Sequence, residues 1–286
     1  MSRRWHVCSR SVLLGLILTA CSGSARAALC LGEPDLDIWQ TDLTGAAAPL
    51  VRGPGMDGFA DWSPDGEEIV FVSSRDGNCD LYLMDADGAD QVNLTESGRD
   101  ELYPSWSANG RQVVFSADEQ LHIIDVASGE VAQLTNTRLI HSYPDWSPDG
   151  DFIVFSGGSE PAGPGVVHQI YVVPVAGGDE QPLTDGDSLL VAPRWSPDGR
   201  HIAYFDHAEP FQIYVIDSDD GAAVALGHGG HLSWSPDGAL VHDREVAPGD
   251  VDLFVDDAPL IGGPGIDTLP AWSPDGSVIV FSSDRP

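Results

Sequence analysis

Six tryptophans recur along this chain inside almost the same pentapeptide. A chain that repeats one short unit at a near-constant period folds by stacking or closing those units. Five copies read W-S-P-D-G, starting at Trp62, Trp146, Trp195, Trp234 and Trp272, and one reads W-S-A-N-G, starting at Trp106. Successive spacings are 44, 40, 49, 39 and 38 residues.

Each period spells four short strands. Seven residues after five of the tryptophans comes an apolar-aromatic triplet: Ile69-Val70-Phe71, Val113-Val114-Phe115, Ile153-Val154-Phe155, Ile202-Ala203-Tyr204 and Ile279-Val280-Phe281. The fifth repeat departs, with Val241-His242-Asp243 in that frame. Between tryptophan and triplet, proline presets one turn dihedral and glycine accepts positive φ, which is the chemistry of a tight hairpin. A third strand follows, as in Asp80 to Met84 or Gln212 to Ile216, and then a fourth that ends near Leu94-Thr95, Leu134-Thr135 or Leu183-Thr184. Four antiparallel strands per unit make one propeller blade. The last repeat supplies only a first and second strand before Pro286, while Asp37 to Asp42 and Pro49-Leu50-Val51 supply a third and fourth with no pair before them. The reading is an all-β, six-bladed β-propeller over residues 36–286, its last blade closed by both termini. Closure removes exposed sheet edges.

At these residues the chain resembles the TolB-type β-propeller repeat. Tyr103-Pro104-Ser105-Trp106, Tyr143-Pro144-Asp145-Trp146 and the run from Asp80 to Gly88 carry that pattern. The resemblance implies a propeller and leaves the function open, because such blades serve in transport accessories, peptidase lids, lyases and binding proteins. The full-length Tol-system protein carries an additional N-terminal α/β domain and engages a peptidoglycan-associated lipoprotein. Only about 15 residues separate Cys21 from the first strand here, so that domain is expected to be missing.

The first 35 residues read as an export signal and linker. Arg3, Arg4 and Arg10 precede an apolar run from Val12 to Ala20, too short for a membrane span. Leu18-Thr19-Ala20-Cys21 resembles a bacterial lipobox, which divides the chain into a signal peptide (1–20), a linker (21–35) and the propeller. Cys21 is then the lipidated first residue of an exported lipoprotein, and by analogy Ser22 directs it to the outer membrane. Cleavage after Ala25-Arg26-Ala27, giving a soluble periplasmic protein, is the competing reading. Cys79 sits just before a third strand and Cys30 a few residues before the equivalent strand of the neighbouring blade, so a disulfide between them is open in an oxidising compartment.

The chain contains 45 acids, 13 arginines and no lysine, for a net charge of −32. Nucleic acid and anionic lipid are poor partners for such a surface, so membrane contact is expected only through a lipid anchor. Much of the aspartate belongs to turns, where the side chain bonds its own backbone. A monomer is expected.

In a propeller the first strand of each blade lines the central channel. Counting five residues back from each tryptophan reaches Asp57, Glu101, His141, Leu190, Gly229 and Asp267, and His231 lies three before Trp234. Three readings of this ring stand open. Asp57, Glu101, His141 and Asp267 could hold a divalent cation, since carboxylates with an imidazole suit such ions. They could be a polar mouth whose acids bond backbone amides of the next blade. Together with His231 and the nearby Arg75 and Arg244, they could receive a cationic group of an envelope or peptidoglycan-associated partner. The insertion Gly157 to Val167, ending beside His168, reads either as a mobile flap over the same face or as a tolerated surface loop. The chain has no G-x-S-x-G elbow, no H-E-x-x-H and no glycine-rich phosphate loop. The leading expectation is therefore a non-enzymatic cell-envelope binding or scaffold protein without a cofactor. The alternative is a metal-dependent lyase or hydrolase with His141 or His231 as base.

Overall fold

The computed structural model describes residues 35–159, 167–208, 210–218 and 221–286. The expected signal peptide, Cys21, Cys30 and most of the linker lie outside them, as do residues 160–166 of the expected flap. Among the described residues, strands form six four-stranded antiparallel sheets and no helix. Blade 1 begins with Asp57–Trp62, blade 2 with Glu101–Trp106, blade 3 with Ile140–Trp146, blade 4 with Leu190–Trp195, blade 5 with Leu232–Trp234 and blade 6 with Asp267–Trp272. In blade 6 the second strand, Val278–Ser283, pairs with Asp37–Asp42, which pairs with Ala47–Val51. The ring is thus latched by both ends of the propeller.

Each pentapeptide builds the turn its composition calls for. In blade 1 the Ser63 hydroxyl donates to Asp65 at 2.6 Å, and it accepts the Glu68 amide at 2.9 Å. Asp65 also accepts the Glu67 amide, and Gly66 takes φ of 74° to close the loop. Ser147 with Asp149, Ser196 with Asp198, Ser235 with Asp237 and Ser273 with Asp275 repeat the bond, and Ser107 with Asn109 makes it in the W-S-A-N-G copy.

Within the blades, an aromatic on the second strand packs against a ring on the third: Phe71 on Tyr82, Phe115 on His122, Phe155 on Tyr171, Tyr204 on Tyr214 and His242 on Phe254, with ring centres 5.6 to 5.8 Å apart. Apolar clusters then bridge adjacent blades, as where Trp62 of blade 1 joins Ala271 and Val280 of blade 6. The fifth repeat is out of frame by one residue. Its turn closes from the Ser235 amide to the Ala239 carbonyl, one position short of the span from Ser63 to Glu68. His242 therefore takes the aromatic slot, and Asp243 takes the next position along.

Gly157 to Ser159 and Val167 extend the blade 3 hairpin as paired strand, and His168 is buried opposite Gly158. Cys79 is buried and disulfide-bonded.

Candidate functional site

In blades 1, 2, 4 and 6 the inner strand begins five residues before its tryptophan, and in blade 3 His141 is its second residue. Asp57 is fully buried and pairs with Arg75 at 3.0 Å, while Asp267 is bound by Arg285 and by the Ser283 hydroxyl. Both arginines also lie over the aromatic pair of their own blade, Arg75 at 4.7 Å from the Tyr82 ring centre and Arg285 at 5.5 Å from Phe281. Glu101 accepts from Ser97 at 2.6 Å. His141 is clamped between Glu180, 2.8 Å from Nε2, and the Glu119 carbonyl, 2.9 Å from Nδ1. Arg244 lies 3.7 Å over the Phe254 ring and pairs with Asp257. Burial raises the Asp57 and Glu101 carboxyls above their ordinary range, against the lowering pull of Ser73 and Ser97 hydroxyls. Among the described residues no three histidine, cysteine, aspartate or glutamate side chains converge as metal ligands. The fold places the expected ring one residue per blade, each with its own partner.

A bulge explains why these side chains avoid the channel. In blade 1, Asp61 opposes Val70 and Gly58 opposes Val72, so Phe59 and Ala60 share one place opposite Phe71. The same shift recurs in blades 2, 3, 4 and 6. Its first residue takes positive φ although it is never glycine: Phe59, Tyr103, Tyr143, Ala192 and Leu269, between 52° and 58°. Upstream of such a bulge the alternation of side chains is reversed. A Cβ on Gly58 would meet Ser282 and Leu269 of blade 6, and Asp57, one residue earlier, pairs with Arg75 of its own blade.

The bulge residues themselves close the channel. Phe59, Tyr103, Tyr143, Ala192 and Leu269, with His231 at the matching position of blade 5, line a cavity of about 20 Å³. Tyr103 stacks on Tyr143 at 3.9 Å, and Phe59 meets Tyr103 edge-on at 5.0 Å. All six are buried. About one water fits such a space, so this plug divides the channel into two separate mouths.

On the tryptophan side of the plug lies a cup of about 220 Å³, lined by the six tryptophans and by the residues just before them. Those residues are Asp61, Ser105, Asp145, Arg194, Ser233 and Ala271, and several of them stitch blade to blade. Asp61 accepts the Trp106 amide at 2.8 Å, Asp145 accepts the Trp195 amide at 2.7 Å, and Ser233 accepts the Trp272 amide at 3.2 Å. At this ring, acids do bond backbone amides of neighbouring blades. Arg194 pairs with Asp145 at 3.1 Å. Burial pushes the Asp61 carboxyl up to about 6 and raises Asp145 as well, with the Arg194 charge opposing both. The residue preceding each tryptophan was the available signal for this cup.

One further group faces the plug. His231 Nδ1 lies 3.0 Å from Asp243 Oδ2, a carboxylate that also accepts from the Thr268 hydroxyl. The Nε2 of His231 is buried without a hydrogen-bond partner. Nearby, burial holds the His207 imidazole down to about 4, and the His231 ring adds to that lowering.

Comparison with known proteins agrees with this architecture. The family model for the TolB beta propeller domain matches residues 25–161, 116–241 and 166–286. The Tol-Pal system protein TolB of Syntrophotalea carbinolica is 41% identical over 51 residues, which is 18% of this chain and 12% of that protein. The chain spans between 12% and 27% of the length of the first curated relatives it matches. Among solved structures, TolB from Acinetobacter baumannii superposes with a TM-score of 0.64 at 18% identity, covering 87% of this chain and 63% of that one. An oligogalacturonate lyase in complex with manganese gives 0.56 at 14% identity, covering 90% and 92%. These structural likenesses establish the fold alone, whereas the family match extends over the whole propeller: the chain belongs to the TolB beta-propeller domain family.

Proposed function

We propose that this propeller is a non-enzymatic binding module of the cell envelope, which receives a cationic group of a protein partner or small ligand in the tryptophan-ringed cup. The carrying observation is a dead-end cup whose two desolvated carboxylates, Asp61 and Asp145, face one guanidinium. A second cation would relieve the remaining desolvated charge, and the plug behind lets a group enter without passing through. The Asp57, Glu101, His141 and Asp267 ring, as a partner or divalent-cation site, is supported less, because its side chains already carry protein partners. The TolB relative is named as part of a Tol-Pal system, which supports a partner in the envelope. Export with cleavage before Cys21, anchoring by lipid at that cysteine, and closure of the Cys79 disulfide by Cys30 all belong to this reading. Non-reducing peptide mapping that pairs Cys79 with another cysteine would remove the last of these.

The test compares capture of detergent-extracted envelope proteins by wild type and by the Asp61→Asn/Asp145→Asn variant, with arginine amide as a small probe in calorimetry. Loss of a captured protein and at least tenfold weaker arginine amide binding in a variant that still folds would support the reading. Equal capture and equal affinity would end it.

A second reading, metal-dependent lyase or hydrolase chemistry, is favoured by His231, whose Nδ1 is held by Asp243 and whose Nε2 is buried in the plug without a hydrogen-bond partner. Incubation with oligogalacturonate and manganese would then release unsaturated product, and His231→Ala would abolish it.

A further inference from the structure

The seam between blades 4 and 5 is built differently from the other seams. At four seams the proline of one hairpin lies over the glycine of the next: Pro274 over Gly66, Pro64 over Gly110, Pro148 over Gly199 and Pro236 over Gly276. At the seam of blades 2 and 3 the proline is replaced by Ala108, yet the second strand of blade 2 still packs on the inner strand of blade 3. Between blades 4 and 5 the proline is present, at Pro197, but nothing stands within 4 Å of a Cβ on Gly238. This is the hairpin shortened by one residue, and blade 5 also has the shortest inner strand, Leu232–Trp234.

A cleft of about 900 Å³ opens there. Its apolar lining includes Val215, Val224, Leu226, Trp234 and Leu240. Val224 and Leu226, on the outermost strand of blade 4 (Ala223–His228), are 61% and 52% exposed and both line this cleft. Asp198, Asp217, Asp237 and Asp256 line the same cleft. A smaller groove of about 580 Å³ at the seam of blades 6 and 1 has Pro274 bridging its floor over Gly66.

We propose that the cleft between blades 4 and 5 docks a short segment of a partner protein carrying a large apolar side chain beside an arginine or lysine. The apolar lining rewards burial of the side chain, and the four carboxylates select the cation beside it. A second copy of this chain is a poor occupant, because its net charge of −32 would meet the same carboxylates. The cleft shares Trp234 and Pro197 with the rim of the channel cup, but none of its four carboxylates and neither Val224 nor Leu226 lines that cup, so the two proposals are tested separately.

The test uses an array of pentapeptides on a glycine-serine background, scanning one arginine against one large apolar residue. Retention of wild-type protein is expected only where both are present. Val224→Ser/Leu226→Ser should weaken binding of a retained peptide at least tenfold, and Asp198→Asn/Asp237→Asn, which keeps the turn acceptors, severalfold at low salt. Val131→Ser, on the exposed outer strand of blade 2, should bind as wild type does. An array with no retained peptide, or equal retention by the Val224→Ser/Leu226→Ser variant, overturns the proposal. Self-association of the wild type that this variant abolishes would assign the cleft to a second copy and equally overturn it.

Discussion

Arg75 and Arg285 show how one side chain can join two parts of a blade. Each reaches back from the end of the second strand to the acid that opens the first, and covers the aromatic pair between them. Removing the guanidinium leaves a buried carboxylate without its counter-charge, which is far costlier than losing an exposed pair. Arg285→Ala should therefore lower unfolding stability by roughly 3 kcal/mol in urea titrations. Arg99→Ala, which breaks the exposed pair with Asp118, should change it by under about 0.5 kcal/mol. Equal effects would mean that Asp267 is solvated in solution. Position along the chain was legible for these acids, since the residue five before each tryptophan does open its strand in blades 1, 2, 4 and 6. Side-chain direction was not, because the bulge at Phe59, Tyr103, Tyr143, Ala192 and Leu269 reverses the alternation, and bulky residues at positive φ give no local warning of it. The repetition of Ser73-Ser74-Arg75 as Ser283-Asp284-Arg285 could have announced the arginine partners.

At the scale of the hairpin, five copies spend a serine and an aspartate on the same turn, and the sixth substitutes asparagine. What the turn needs is an acceptor oxygen, which Asn109 provides without charge by accepting from Ser107 and from the Arg111 amide. Asp149→Asn should accordingly cost less than Asp149→Ala, which strands the Ser147 hydroxyl and the Asp151 amide and should cost about 1 to 2 kcal/mol. Thermal melting of the two variants checks this, and a charge requirement would show as equal losses. Strand order, strand pairing and the shared sixth blade were legible because the hairpin motif recurs so regularly. At the fifth hairpin a fixed count of seven residues from Trp234 cannot register a one-residue deletion. That slip hid His242 in an aromatic slot and Asp243 beside His231. It also hid the retreat of Gly238 from Pro197 that opens the cleft between blades 4 and 5.

Across the whole ring, the acids divide into two populations with opposite consequences for pH. The turn acids Asp65, Asp149, Asp198, Asp237 and Asp275 are held below their ordinary value by serine hydroxyls, Asp275 at about 2. A lowered folded value means stabilisation that is present above pH 4 and lost as pH falls toward 2. Asp61, Asp145, Asp57 and Glu101 are raised by burial, Asp61 to about 6. For these the folded chain retains protons that the unfolded chain has released, so stability declines as pH rises from about 4 through 6. Asp61 alone can contribute at most roughly 3 kcal/mol to that decline. Mutual repulsion among 45 acids acts in the same direction as they ionise. The melting temperature should therefore peak between about pH 4 and 5 and fall on both sides. Asp61→Asn should flatten the fall between pH 4 and 6 while leaving the acid limb unchanged, because its amide cannot ionise in the cup and the turn acids are untouched. A wild-type melting temperature that instead climbs steadily to pH 7 would mean that Arg194 holds Asp61 ionised together with Asp145. Arg194 would then stabilise both carboxylates without help from a further cation, and the case for a cationic ligand there would lose its main support.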